Sequence, residues 1–220
     1  VFYEWYCWIS IFGEPSTTEP WGWQIDGHHL IINCFVYGDQ MVMTPDFRGS
    51  EPDFAEFGKH AGTRVFQEEE ANGQEFMAAL APEQQQQAVM GTELPREVAT
   101  GAQLDNLDLD YAGMRCDGLA PQQREHLLAL LETYAGRVRP GQAEIRMEDV
   151  KKHLSDTWFG WIGDVTNIGA PKDRNPFYYR LHSPVILIEF DHMPGIVWDN
   201  ANPTRDHIHA IVRTPNGNDY

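Results

Sequence analysis

Side chains of the kind that bind metal ions are concentrated in three segments that otherwise carry β-forming residues. The segments are Asp26-Gly-His28-His29, Glu189-Phe-Asp191-His192 and Arg205-Asp-His207-Ile-His209. Burying imidazoles and carboxylates within apolar strands costs free energy unless a partner compensates them. A cation would do this, so the three segments together predict a metal site built on strands.

The spacing of the last segment suits two ligands to one ion. Residues i and i+2 of a strand point to the same face, roughly 6–7 Å apart. The imidazoles of His207 and His209 can therefore reach a common ion. Glu189 and Asp191 share a face in the same way, and Arg213 lies further along the face of His209.

The adjacent histidines of the first segment are expected to contribute one ligand. Neighbours in a strand point to opposite faces, so only His28 or His29 joins the site unless Gly27 introduces a bulge. Three histidines with a nearby carboxylate are the usual composition of an open catalytic metal centre. The predicted metal ligands are therefore drawn from four histidines: His28, His29, His207 and His209.

Two further residues receive catalytic roles in this prediction. Glu189 would act as general base or would orient a ligand imidazole. Arg213 would stabilise an anionic substrate group or transition state. The predicted cofactor is a divalent metal ion, with zinc favoured and iron or copper open. The predicted function is a metal-dependent enzyme acting on a small molecule, with zinc-type hydrolysis ahead of other chemistry.

Other interpretations of the same residues stay open. An iron- or copper-dependent oxidoreductase would use the same ligands. A non-catalytic protein that captures a small acid or sugar would need no metal, and a His-x-His pair also occurs as two half-exposed histidines. The carboxylates of Glu189 and Asp191 are expected to pair with nearby arginines, namely Arg180, Arg205 or Arg213, rather than to bind an ion directly.

The remaining motifs carry weaker functional signals. Glu68, Glu69 and Glu70 predict a solvated helix face, and Trp158-Phe-Gly-Trp161 fits core packing better than a ring-binding groove. Three scattered cysteines include no C-x-x-C pair, which argues against a thiolate zinc site or a disulfide framework. The sequence contains no G-x-S-x-G, P-loop, G-x-G-x-x-G or H-E-x-x-H motif.

The order of elements predicts an α+β fold with a mainly antiparallel sheet. An N-terminal hairpin consists of one strand over 21–36, bent at Gly27, and a second over 41–44 that stops at Pro45. Four C-terminal strands are predicted over 157–162, 176–182, 185–191 and 207–214. Helices are predicted between them over 64–81, from Pro82, from Pro121 to Gly136, and over 147–154.

Length and charge set broader limits. The 220 residues fit one domain, 1–220, because no linker divides them. With 16 Lys and Arg against 33 Asp and Glu, the net charge of −17 argues against nucleic-acid partners and anionic membranes. Neither oligomeric state nor compartment follows. The chain lacks an initiator methionine, which suggests that it begins inside a longer reading frame and leaves an export signal open.

Several of these segments resemble the DUF3500 family of uncharacterised proteins. The resemblance rests on Trp21-Gly-Trp-Gln-Ile-Asp-Gly-His-His-Leu, Thr157-Trp-Phe-Gly-Trp-Ile-Gly, Phe177-Tyr-Tyr-Arg-Leu-His-Ser-Pro and the stretch from Asp206 to Tyr220. It implies a longer natural chain and supplies no activity. It also implies that six residues belong to one functional cluster: His28, His29, Glu189, His207, His209 and Arg213.

Overall fold

A computed structural model of the protein describes residues 6–104, 108–166, 168–169 and 175–215, and these residues form a ten-stranded sheet with four α-helices. The N-terminal strands are β1 (Trp8–Phe12), β2 (Trp21–Asp26), β3 (Leu30–Tyr37) and β4 (Gln40–Ser50). The short strands β5 (Val89–Gly91) and β6 (Met114–Arg115) precede β7 (Trp158–Ile162), β8 (Tyr178–His182), β9 (Leu187–Pro194) and β10 (Pro203–Arg213). The helices are α1 (Gln67–Ala79), α2 (Pro82–Ala88), α3 (Pro121–Ala135) and α4 (Pro140–Lys152).

The sheet joins the two ends of the chain. Its strand order is β1-β2-β3-β4-β10-β9-β8-β7-β5, with β6 also paired to β7, and all pairs except β5–β7 are antiparallel. The α+β class with a mainly antiparallel sheet is therefore confirmed. The contact that positions the site is the pairing of β4 with β10, because it brings the N-terminal hairpins beside the His-x-His strand.

The N-terminal strands differ from the prediction in two places. The segment 21–36 is two strands, since the chain reverses at residues 27–29 and Gly27 N–H donates to the Leu30 carbonyl at 2.8 Å. The strand expected to stop at Pro45 runs through it to Ser50. Pro45 is accommodated because the β3–β4 pairing has an irregular register opposite it, where no ladder hydrogen bond is required of its nitrogen.

Three of the described helices, α2, α3 and α4, begin with proline in the first turn. The shared Leu-Ala-Pro signal is confirmed at α2 and α3, and in each the third residue after alanine accepts the N-cap amide: Gln84 from Ala81 and Gln123 from Ala120, both at 2.9 Å. The fourth helix begins seven residues earlier than predicted, at Pro140. The same proline rule explains this start. None of the described helices has both the length and the apolar character needed to cross a membrane.

The two faces of the sheet are covered differently. Helices pack on one face, where Phe76, Leu127, Leu131, Phe159 and Phe190 belong to the main apolar cluster. The other face of β8, β9 and β10 carries polar side chains, with only a small apolar cluster around Phe47, Val98 and Ile211. Strand alternation produces this division, because alternate residues of β10 belong to opposite faces.

The acidic run at the start of α1 is not the solvated face that its composition predicts. Glu68 is exposed, but Glu69 and Glu70 are buried. Glu70 Oε1 accepts hydrogen bonds from His192 Nε2 and Arg205 Nε, both at 2.8 Å. Burial alone would raise the pKa of Glu70, but these two donors lower it to about 2. The carboxylate therefore connects α1 to β9 and β10.

Replacing Glu70 by alanine should lower the free energy of unfolding by about 3–5 kcal/mol, because it removes this acceptor from the buried His192 and the partly buried Arg205. The matched change Glu68→Ala alters the same helix turn at an exposed position and should stay within about 0.5 kcal/mol of wild type. Urea unfolding at pH 7 measures both. Equal losses in the two variants would contradict the buried network.

Candidate metal centre

Two of the three segments singled out in the sequence meet at the end of the β4–β10 pair. His29 lies in the turn between β2 and β3, and the Gly49 N–H donates to its carbonyl at 2.9 Å. His209 lies opposite Gly49 in the register of β10 with β4. The β2–β3 turn is thus fixed against the strand that carries the His-x-His pair.

Three imidazoles converge at this point. Ligand-type atoms of His29, His207 and His209 all lie within 4.8 Å of one another. The Nε2 atoms of His29 and His207 are 3.4 Å apart. Two nitrogens bound to one tetrahedral ion at the usual zinc–nitrogen distance are separated by about 3.3 Å. The spacing of this pair therefore fits a shared four-coordinate ion.

The outward-facing nitrogens of two of these rings are engaged by acceptors. His207 Nδ1 lies 2.8 Å from the Pro194 carbonyl and 3.6 Å from Glu51 Oε2. His209 Nδ1 lies 2.9 Å from Glu97 Oε1. An N–H directed at a carbonyl or carboxylate leaves the lone pair on the other ring nitrogen, which is how proteins orient histidine ligands of metals.

His29 and His28 have different surroundings although they are neighbours. Burial, followed by the nearby rings of His209, His28 and His207, lowers the pKa of His29 to about 3. His28 is exposed, and its ring centroid lies 4.3 Å from that of His29. The partial burial of its ring against these neighbours, followed by His209, lowers the pKa of His28. The group of three imidazoles contains His29 and not His28. The lowered pKa values of His28 and His29 favour the neutral form of both rings at pH 7.

Gly49 packs directly against two rings of the cluster. A Cβ at this position would lie 2.5 Å from Cδ2 of His29 and 2.8 Å from Cδ2 of His209. Both distances are shorter than real Cβ contacts, so any side chain here would push the two rings apart. A cleft of about 650 Å³ borders the cluster at His29 and Gly49, and its wall includes Arg48 and Arg137.

Two carboxylates stand on the other side of His209. Glu97, Asp191 and His209 form a second group of ligand-type atoms within 4.8 Å of one another. Asp191 faces His209 across β9 and β10, and its Oδ1 accepts the His209 backbone N–H at 3.2 Å. Burial raises the pKa of Asp191 well above its usual value, and Glu97 and Glu189 add to this. Burial would also raise the pKa of Glu97, but the hydrogen bond with His209 lowers it.

Glu189 shares the face of Asp191, as strand alternation predicts, but it contacts a different part of the chain. Its oxygens accept the Ala99 N–H at 2.8 Å, the Thr100 N–H at 2.8 Å and the Thr100 hydroxyl at 2.5 Å. The Tyr178 hydroxyl donates a further bond at 2.6 Å. A completely buried carboxylate with these donors is already occupied, so its position fits a support for residues 97–100 better than the predicted general base.

Arg213 holds the same segment from its other end. The Arg213 guanidinium donates to the carbonyls of Thr100, Gly101 and Leu104 at 2.7–2.9 Å. Its side chain is 1% exposed, and its role toward a substrate anion stays a prediction. Glu189 and Arg213 together fix the segment that carries Glu97, and through Glu97 they reach His209.

Two residues near the cluster were missed by the sequence argument. Glu97 and Glu51 lie outside the histidine-rich segments, and nothing in their local sequence distinguishes them from solvated carboxylates. The sequence pattern places Asp191 on the same strand face as Glu189 but predicts an arginine as its partner.

The aromatic run Trp158-Phe-Gly-Trp161 packs in the core, as predicted. Phe159 and Trp161 are buried in the main apolar cluster.

Glu189→Gln should lower the free energy of unfolding by about 2–4 kcal/mol, because the amide nitrogen would face the donors of Ala99 and Thr100. Tyr178→Phe removes a single donor to the same carboxylate and should cost about 1–2 kcal/mol. Chemical unfolding of the two variants measures the difference. A Glu189→Gln protein as stable as wild type would show that this carboxylate does not hold the segment.

Comparison with known proteins agrees with the resemblance seen in the sequence. No curated protein and no solved structure matches the chain. A family model described as "Protein of unknown function (DUF3500)" matches residues 2–220, which is essentially the whole chain. The protein therefore belongs to the DUF3500 family.

Proposed function

We propose that this protein is a metal-dependent enzyme in which His29, His207 and His209 bind a divalent ion, with zinc-type hydrolysis as its chemistry. The observation that carries the proposal is the convergence of three imidazoles, two of which have their Nδ1 atoms engaged by a carbonyl or carboxylate. Nitrogen ligands and a 3.4 Å spacing between two of them fit a zinc ion.

A catalytic centre is favoured over a structural one by the number of ligands. Structural zinc sites use four protein ligands, whereas catalytic sites use three and leave one position open. Within the described residues the group contains three imidazoles. An ion held this way would lower the pKa of a water molecule and supply the nucleophile for hydrolysis at neutral pH.

The proton acceptor in this proposal is the imidazole next to His29. His28 is exposed beside His29 and its lowered pKa keeps it neutral at pH 7. A neutral imidazole at a solvent-facing position can act as general base. His28 therefore takes the role that the sequence argument gave to Glu189, while Glu189 and Arg213 position Glu97 and thereby His209. The substrate would approach through the cleft that borders His29.

His29→Ala should weaken binding of the first equivalent of Zn²⁺ by at least roughly 100-fold, because it removes a ligand and not merely a supporting group. His28→Ala removes the neighbouring imidazole outside the group and should leave this affinity close to wild type. Calorimetric titration of metal-free protein with Zn²⁺ measures both variants. Equal loss in the two variants, or a wild-type protein that binds no Zn²⁺, would contradict the ligand set.

An open coordination position can be tested without knowing the substrate. The Co²⁺-loaded protein should show the visible absorption of four-coordinate cobalt, and added azide should shift the bands because it enters the open position. His207→Ala should abolish both responses. A cobalt spectrum unchanged by azide would indicate a closed structural site. Iron or copper in the protein as purified would instead favour an oxidoreductase with the same ligands.

A further inference from the structure

His209 belongs to two groups of ligand-type atoms at once. One group contains His29 and His207, and the other contains Glu97 and Asp191. Its Nδ1 lies 2.9 Å from Glu97 Oε1, so its Nε2 remains for the three-imidazole group. The ring therefore stands between two sets of donors that differ in charge: neutral imidazoles on one side and carboxylates on the other.

The carboxylate group contains a buried atom that lacks a partner. Asp191 is 0% exposed, and its Oδ2 has no hydrogen-bond partner among the described residues. Glu189, also 0% exposed, lies on the same face one pleat along β9. An unpartnered carboxylate oxygen buried near other carboxylates carries a large free-energy cost. A cation bound at Asp191 would remove this cost.

We propose that Glu97, Asp191 and His209 form a second cation site, so that the His209 ring bridges two metal ions through its two nitrogens. The proposal rests on the proposed function, since the first ion is the one held by His29, His207 and His209. Carboxylate oxygens with one imidazole nitrogen suit zinc, copper or manganese. The 2.9 Å between His209 Nδ1 and Glu97 Oε1 is close to the roughly 3.0 Å between adjacent ligands of a six-coordinate ion at about 2.1 Å.

Binding of the second ion also changes the protonation of the His209 ring. The hydrogen on His209 Nδ1, which otherwise faces Glu97, leaves to solvent when the second ion takes its place, and the ring becomes an imidazolate. Two ions on one ring favour this loss because both stabilise the negative charge. Binding of the second ion should therefore release one proton more than an ion held by the carboxylates alone, because only the bridge removes the ring hydrogen.

Titration of the metal-free protein with Cu²⁺ tests the proposal directly. The first equivalent should give an electron paramagnetic resonance signal, and the second should reduce that signal instead of doubling it, because an imidazolate bridge couples the two unpaired spins. Calorimetry in two buffers of different ionisation enthalpy counts the protons released. Asp191→Asn and Glu97→Gln should bind a single equivalent with an undiminished signal, and circular dichroism confirms that each variant is folded.

The control Glu93→Gln changes an exposed carboxylate four residues before Glu97 and should bind two equivalents of Cu²⁺ as wild type does. One equivalent in the wild-type protein, or a second equivalent that persists in Asp191→Asn, would overturn the second site. A second equivalent that doubles the signal would overturn the bridge. These failures are distinct from failure of the proposed function, in which the first equivalent itself would be missing or would persist in His29→Ala.

Discussion

The placement of ionisable side chains inside a β-sheet is the constraint on which this structure depends. One face of β8, β9 and β10 buries Arg180, Glu189, Asp191, His207 and His209. Each costs free energy unless hydrogen bonds or opposite charges compensate it. The opposite face of the same strands is apolar and packs on the helices. The buried ionisable groups of the polar face therefore need partners from other parts of the chain.

Residues 97–104 compensate two of these side chains, Glu189 and His209. Their backbone amides donate to Glu189 and their carbonyls accept from Arg213, so a coil segment without regular structure is held by side chains of the sheet. The same segment presents Glu97 to His209. Under the proposed function, Glu189 and Arg213 would act indirectly, by fixing the carboxylate of Glu97 that contacts His209.

A comparable arrangement supports His207. Glu51 accepts the backbone N–H groups of Ile196 and Val197 at 3.1 and 2.8 Å. The Pro194 carbonyl, from the strand end where this loop begins, accepts from His207 Nδ1. The β9–β10 loop and the His207 ring are therefore held by the same few groups. The geometry of the imidazoles depends on the folded sheet as a whole and not on one local motif.

Much of this was available from periodicity. Alternation along β9 and β10 placed His207 with His209 and Glu189 with Asp191, and proline marked the starts of α2 and α3. The pairing register could not be predicted from the sequence, because the residue pattern within one strand does not specify which residues of the neighbouring strand lie opposite it. Register sets His209 opposite Asp191 and Ile211 opposite Glu189. Contacts of Glu97 and Glu51 depend on distant segments, which local sequence does not encode.

We propose that three imidazoles from two distant parts of the chain share one ion. A crystal structure of the zinc-loaded protein, with diffraction recorded on both sides of the zinc absorption edge, tests this most directly. An anomalous peak is expected about 2.0–2.1 Å from nitrogens of His29, His207 and His209. A peak bound elsewhere, or three imidazoles without a peak between them in zinc-saturated crystals, would contradict it.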